Sequence, residues 1–320
     1  MSMNRNTRKL LFCLPKHFKL CRSWQINNVL YLSTANEKII KTRMKSIESI
    51  QKMTNAMKVV ARSKLKSDQR RFEPSLHFTT TLKSLFKDIF PAIELNNKGG
   101  EDGIVYILLP LTSDKGLCGG CNSALANLTK LKINELESQG YKVLICGVGE
   151  KIGNILQRNY SSRFIHMFSG IGKDSLNYSM ATVISQKILN EMLKYSNCKL
   201  ALLYNQVRSA IAFDIVFEPL ITPKDIQESI NSSWDLDKNY ELEPQKSELL
   251  PDFYEIYLVA SIFGAMLNGN IAEKSSRVFA MDNACKNAEE MISSLTILHN
   301  KSRQSRITME LIEIISGTNT

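Results

Sequence analysis

From Asn36 onward apolar residues return at steps of three or four: Ile40, Met44, Ile47, Ile50, Met53, Met57, Ala61 and Leu65. Seven steps cover 25 residues, about 3.6 residues per step, which is the period of an α-helix. Neither Gly nor Pro interrupts residues 36–73, so the pattern predicts one helix of about 55 Å at 1.5 Å per residue. Pro74 marks its expected end or a kink, because the proline ring removes one amide donor and crowds the preceding turn. A second, short helix is predicted over SLHFTTTLKSLFKDIF, before Pro91.

Between about residues 100 and 220 the pattern alternates. The runs IVYILL (104–109), KVLICGV (142–148), KLALLYN (199–205) and FDIVFEPL (213–220) predict strands. The stretches SALANLTKLKINELES, EKIGNILQRN and SLNYSMATVISQKILNEMLKY predict helices between them. Strands alternating with helices of this length imply an α/β domain with crossover connections. Residues 221–250 are polar and mixed, and read as loop with short elements.

From Pro251 to Ser316 there is no further proline and only Gly264 and Gly269, and Gly317 is a natural stop. A continuous helix here would be about 99 Å long, too long for a compact domain of this size. Its apolar stripe (Phe279, Ala284, Ala288, Met291, Leu295, Leu298, then Ile307, Leu311 and Ile314) calls for a partner helix. The N-terminal helix is the available one. The predicted fold class is α/β: a long antiparallel coiled coil formed by the N- and C-terminal helices, over 36–90 and 251–320, with an α/β domain inserted over 91–250.

Charge sharpens this picture. The net charge is +10, yet residues 1–34 hold six basic residues and no acid, and residues 36–72 hold eleven basic residues against Glu37, Glu48 and Asp68. Everything after residue 72 is net −4. The leader, 1–34, has the acid-free, Arg/Lys- and Leu/Phe-bearing composition of an organellar transit peptide, with a disordered basic tail as the alternative. No run of 18 or more apolar residues occurs, so no segment is expected to span a bilayer directly. The seven cysteines are odd in number and scattered, the pattern of reduced intracellular thiols.

Candidate chemistry centres on SDKGLCGGCN at 113–122. Cys118 and Cys121 at a strand-to-helix turn could form a redox dithiol, given a helix N-terminus and Lys115 to lower the thiol pKa. The bland reading is a glycine-rich turn. No second Cys/His pair stands at metal spacing, and His166 and His299 are isolated, so no metal site is expected. Neither GLCGGCN nor ICGVGEKIG has the register of a phosphate-binding loop. No catalytic triad or carboxylate pair is evident, and no cofactor is implied. The basic first helix could suggest a nucleic-acid arm, but Lys41, Arg43, Lys45, Lys52, Lys58, Arg62 and Lys64 are interleaved with the apolar seam instead of preceding it. A solvated coiled-coil face, or an electrostatic match to an acidic protein surface, fits better. Met44, Met53 and Met57 read as packing residues of the seam.

Three stretches carry a resemblance: IKTRMKSIESIQKMTNAMKVVARSKL, SDKGLCGGCNSAL and RVFAMDNACKNAEEMISSLTILHNKSRQSRITMELIEIISG. Together, and in this order, they resemble the gamma subunit of the rotary ATP synthase, with GVGEKIGNIL and LLYNQVRSAI in support. The resemblance implies a coiled-coil shaft with an inserted Rossmann-like domain and no catalysis of its own. The shaft would stand inside a ring of alternating alpha and beta nucleotide-binding subunits, beside delta and epsilon stalk subunits, on the proton-driven membrane c-ring. It would transmit torque, bind no nucleic acid, and lie peripherally on the matrix side of the mitochondrial inner membrane. Arg303, Gln304, Thr308 and Glu310 match family positions that contact the inner loops of the catalytic subunits. Met57 and Lys58 match the segment that meets an acidic lever at the lower rim. Two features depart from the family pattern: Cys121 follows the usual GLCGG turn, and the C-terminus ends in polar GTNT. The middle domain lacks the long cysteine-bearing insertion of photosynthetic forms, which favours mitochondria over plastids.

Overall fold

The computed structural model describes residues 21–89, 103–171, 176–195, 197–208, 212–231 and 246–318. Of the leader expected over 1–34, residues 1–20 lie outside the described residues. Two compact units are present, one made of the chain ends (residues 1–53 with 284–320) and one of residues 54–283. Helices α1 (Cys21–Ile89) and α6 (Lys246–Thr318) contribute to both.

In the larger unit, β1 (Val105–Pro110), β2 (Lys142–Val148), β3 (Phe164–Phe168), β4 (Cys198–Val207) and β5 (Phe213–Leu220) form one sheet in the order β3-β2-β1-β4-β5. The first four pair parallel, and β5 adds antiparallel to β4. Helices α2 (Cys121–Ser138), α3 (Glu150–Tyr160) and α4 (Tyr178–Met192) are the crossovers, and α5 (Pro223–Asn231) follows β5. Because the central strands are covered on both faces, they read as unbroken apolar runs, and the two-residue period decides which layer each side chain enters. Val105, Ile107, Leu109, Leu144, Cys146, Leu200 and Leu202 enter the core shared with α4 and α6. Tyr106, Leu108, Val143, Ile145, Ala201 and Leu203 enter the opposite core, with Leu125, Ile133 and Leu136 of α2.

Two expectations need correction. Pro74 neither ends nor splits the first helix, since α1 runs through it to Ile89 and absorbs the predicted second helix. An interior proline costs about 3 kcal/mol. Beyond it, Phe86 is fully buried and stacks on Tyr257 and Phe253, with ring centroids 4.1 and 5.0 Å away, and Leu82 and Ile89 pack on the same core. A fully buried aromatic alone contributes about 1.5–3 kcal/mol, so packing offsets the proline. Second, β3 falls where no strand was predicted. It is a short, half-exposed edge strand whose pairing with β2 shifts register between Ile145 and Cys146. Within 221–250, read as loop with short elements, α5 is one such element. Its N-terminus is closed by Thr222, whose backbone N–H and hydroxyl both donate to Asp225 Oδ2 (2.8 and 2.7 Å) while Asp225 N–H returns to Thr222 Oγ1 at 3.4 Å. That reciprocal pairing, with Pro223 starting the helix, is a capping box built on Asp.

Helix α6 holds an 18-residue window of mean hydropathy 1.3, but 61% of it is buried inside the protein, so this apolarity serves the core. Tyr254, Leu258, Ile262 and Ala265 sit there under the sheet. Where α6 meets α1, Gly264 faces Thr79, and a Cβ on Gly264 would sit 3.2 Å from Thr79 Oγ1.

The glycine-rich turn docks the sheet onto α6. Ser276 Oγ donates to the Cys118 carbonyl at 2.6 Å, and Arg277 donates to the Gly116 carbonyl at 3.1 Å. Asn122 ties the turn internally, donating through Nδ2 to Ser113 Oγ (2.8 Å) and Cys118 Sγ (3.2 Å). Cys118 and Cys121 are buried free thiols. Burial, then the Cys118 and Glu273 charges, pushes the Cys121 thiol up to about 12, and burial with Glu273 also raises Cys118. The helix N-terminus and Lys115 do not produce a lowered thiol.

Two outcomes follow for the purified full chain. Gly149 has φ +91°, and a Cβ there would lie 2.2 Å from the Thr112 carbonyl oxygen. Gly149→Ala should lower stability by about 2 kcal/mol or more in urea titration, whereas Gly269→Ala, in helix with open space around it, should raise it by about 0.5–1 kcal/mol. In iodoacetamide labelling at pH 8, Cys121 should carry a thiolate fraction of about 10⁻⁴ and react only as the chain unfolds. Rapid labelling of the native chain would contradict the buried, neutral thiol.

Candidate functional site

The unit built from the chain ends is a two-helix seam. On α1 the shielded positions are Glu37, Ile40, Met44, Ile47 and Gln51. On α6 they are Cys285, Ala288, Ile292, Leu295, His299, Ser302, Arg306, Met309 and Glu313, with Ala284 beside the first. Both series step alternately by three and four, the 3.5-residue period of a left-handed coiled coil. The pairing is antiparallel: Glu37 meets His299 and Arg306, whereas Gln51 meets Glu289 and Cys285.

Polar groups close this seam. Glu37 accepts from Arg306 Nε at 2.9 Å and has His299 Nε2 3.6 Å away. Arg306 also donates to Glu310 Oε1 at 2.8 Å, so Glu310, then Glu37, hold the guanidinium above its ordinary pKa. Gln51 Nε2 donates to Glu289 Oε1 at 3.1 Å. In the other unit α1 keeps the same period through Thr54, Lys58, Ala61, Leu65 and Asp68. There Lys58 pairs with Asp282 at 3.3 Å, and Asp68 pairs with Lys274 and accepts from Asn270 at 3.0 Å.

This seam corrects the predicted one. A 3.6-residue stripe chose Ile50, Met53 and Met57, but these are 52%, 58% and 37% exposed, and only Met44 of the three methionines is in the seam. The same displacement puts Met291, Leu298, Ile307, Leu311 and Ile314 of the predicted α6 stripe on the outside. The helices therefore turn many polar side chains inward and leave large apolar side chains facing out. Exposed apolar surface of this extent marks an interaction face.

The site residues expected from sequence divide between the two units. Met57 and Lys58 belong to the larger unit, where Met57 is exposed and Lys58 is half-buried in its ion pair. Arg303, Gln304, Thr308 and Glu310 share the smaller unit and are exposed on α6. Helical spacing sets Gln304 and Thr308 on the face that carries Leu311, Ile312 and Ile315. The Thr308 hydroxyl donates to the Gln304 carbonyl at 2.9 Å, and Arg303 makes no ion pair among the described residues. Glu310 differs, because its carboxylate is already engaged by Arg306. Glu37, His299 and Arg306 were not anticipated, and no local motif announces a pairing that spans 269 residues. Among the described residues no cluster of His, Cys, Asp or Glu could hold a metal ion.

Comparison with known proteins agrees with this architecture. The family model described as "ATP synthase" matches residues 36–320. The mitochondrial ATP synthase subunit gamma of Rattus norvegicus is 33% identical over 285 residues, covering 88% of this chain and 98% of the relative. That of Yarrowia lipolytica is 35% identical over 278 residues, covering 87% and 89%. Among solved structures, a chain of the central stalk and c-ring of the Tetrahymena thermophila mitochondrial ATP synthase superposes with a TM-score of 0.60 at 26% identity, covering 72% of this chain and 99% of that one. A rotor chain of the Euglena gracilis enzyme shares the fold with a TM-score of 0.63 at 15% identity, covering 86% and 99%. With the fold, the paired terminal helices and the full-length relatives in agreement, this chain belongs to the gamma-subunit family of the ATP synthase.

Proposed function

We infer that this chain is the central-stalk rotor subunit of a proton-driven mitochondrial ATP synthase. It makes no covalent change itself and transmits torque between the membrane c-ring and the catalytic head of alpha and beta subunits, alongside delta and epsilon. The observation that carries this reading is the inverted helix pair, with ion pairs in the seam and apolar side chains outside. A rotor needs both. Cross-helix pairs such as Arg306–Glu37 and Lys58–Asp282 resist sliding of one helix along the other. An outer face of Ile, Leu, Met and Val slides past a surrounding ring without forming directional bonds that would have to break at each step.

On this reading Arg303, Gln304 and Thr308 face the inner loops of the head, and Glu310 acts through Arg306 by fixing the seam near them. Met57 and Lys58 meet the lower rim, Met57 by contact and Lys58 by holding Asp282. The leader over 1–34 directs import, and the subunit works peripherally on the matrix side of the inner membrane. The excess of basic residues on α1 suits acidic surfaces of the surrounding ring.

Two measurements test these roles. Arg306→Glu sets three acids together and should slow ATP synthesis in inner-membrane vesicles several-fold, and adding Glu37→Arg should restore most of it. An unaltered rate in the single variant would remove the seam from the mechanism. Leu311→Asp with Ile315→Asp changes exposed positions and should move the stability of the isolated chain by only about 0.5 kcal/mol, yet deplete the assembled enzyme on native gels. Normal assembly would mean that this face touches no partner.

A further inference from the structure

The larger unit contains a cleft of about 400 Å³, within the size range of small-molecule sites. It opens at the carboxyl ends of the parallel strands. Chain order runs outward from β1 to β2 and β3, then returns to place β4 on the other side of β1. The cleft is thus at the point where strand order reverses, with Leu111 after β1, Val148 at the end of β2 and Asn205 near the end of β4. Open α/β sheets bind ligands at this point.

One buried polar atom of its lining lacks a partner. Asn205 is 2% exposed, and its Nδ2 donates to Cys121 Sγ at 3.1 Å, while Oδ1 is buried with no hydrogen bond. An unpaired buried acceptor is costly, so a donor that reaches it from the cleft would be held. Around it the walls combine apolar side chains, Leu111, Val148 and Met266, with polar ones, among them Ser113, Asn122 and Asn270. At the rim the charge is positive. Lys274 is neutralised by Asp68 and Arg277 by Glu273, and Asp114 adds a further negative charge beside Lys115, but Lys64 and Arg71 make no ion pair among the described residues, so the rim stays net positive.

The N-terminus of α3 does not serve an anion here. Its amides are already taken by the β1–α2 loop: Glu150 N–H by Asp114 Oδ1 (3.1 Å), Lys151 N–H by the Ser113 carbonyl (3.3 Å), and Ile152 N–H by Thr112 Oγ1 (3.1 Å). Any ligand charge must therefore sit at the side-chain cations of the rim. A donor inside, an apolar face against Leu111, Val148 and Met266, and negative charge outside describe one class of molecule. A sugar phosphate has no apolar face to set against Leu111, Val148 and Met266, and a bare phosphate would leave both the walls and Asn205 unused.

We propose that this cleft binds a nucleotide, with an amine-bearing base inserted toward Asn205 Oδ1 and its phosphate held by Lys64, Arg71 and Lys115. The site is separate from torque transmission and does not rest on it. The test is calorimetric titration of the purified full chain with AMP, with purine riboside 5′-monophosphate, which lacks the exocyclic amine, and with inorganic phosphate. AMP should bind saturably, and the amine-free analogue at least about tenfold more weakly, the cost of one buried hydrogen bond. Lys64→Gln with Arg71→Gln, both at exposed helix positions, should weaken both nucleotides about tenfold, and Asn205→Leu should abolish the difference between them. Absence of saturable AMP binding would overturn the proposal. So would equal affinity for the two nucleotides, phosphate binding as tight as AMP, or indifference to the paired rim substitutions in a normally folded chain.

Discussion

The 3.5-residue repeat shared by α1 and α6 is the constraint on which the rest of the molecule depends. A straight helix drifts by about 20° per heptad against such a repeat, so two helices that keep it must supercoil to stay in contact. That requirement admits Gln51, Thr54 and Lys58 to the contact line and expels Ile50, Met53 and Met57. Once polar residues are inside, they must find partners, because a shielded unpaired charge is costly. Glu37 with Arg306, and Lys58 with Asp282, are that solution. The apolar residues left outside form a surface suited to a surrounding ring.

The inserted sheet depends on the same helices. One of its two cores is shared with α6 and with Phe86 of α1, so the α/β layer is completed by the helix pair. The turn after β1 secures the junction, with Ser276 and Arg277 binding its carbonyls. Its glycines allow close approach: a Cβ on Gly119, at φ +59°, would lie 3.4 Å from Ser276 Oγ. The cysteines of the turn fill buried volume there. A dithiol enzyme needs a stabilised thiolate, and this setting disfavours one.

Much of this was legible in the sequence. Runs buried on both faces announced β1, β2 and β4, and the length of the C-terminal helical pattern required a partner helix. The gamma resemblance lay in long, ordered segments. What escaped had physical causes. Over three heptads a 3.6-residue and a 3.5-residue stripe diverge by about 60°, enough to exchange Met53 for Thr54 as the seam residue. Pro74 is tolerated because tertiary packing of Phe86 outweighs a local penalty. The strand β3 is short and half-exposed, and gains its order from β2. Only α5 carried a readable signal, since Thr222, Pro223 and Asp225 spell a helix start. The ion pairs of the seam join residues more than 200 positions apart, and no local pattern could reveal them. Of the six site residues drawn from the resemblance, Met57, Arg303, Gln304 and Thr308 are exposed, and Lys58 and Glu310 sit in ion pairs.

Torque transmission requires this chain to turn relative to the catalytic head. Leu193 is 75% exposed, Cys118, Cys121, Cys146, Cys198 and Cys285 are buried, and Cys13 and Cys21 fall in the expected leader, so Leu193→Cys offers a selective attachment point. A fluorescent or gold probe at that position in the surface-immobilised complex reports the motion directly. Stepwise rotation in one direction, driven by ATP and stopped when ATP is withdrawn, is the predicted result. A probe that stays fixed while the same complexes hydrolyse ATP would contradict the rotor assignment.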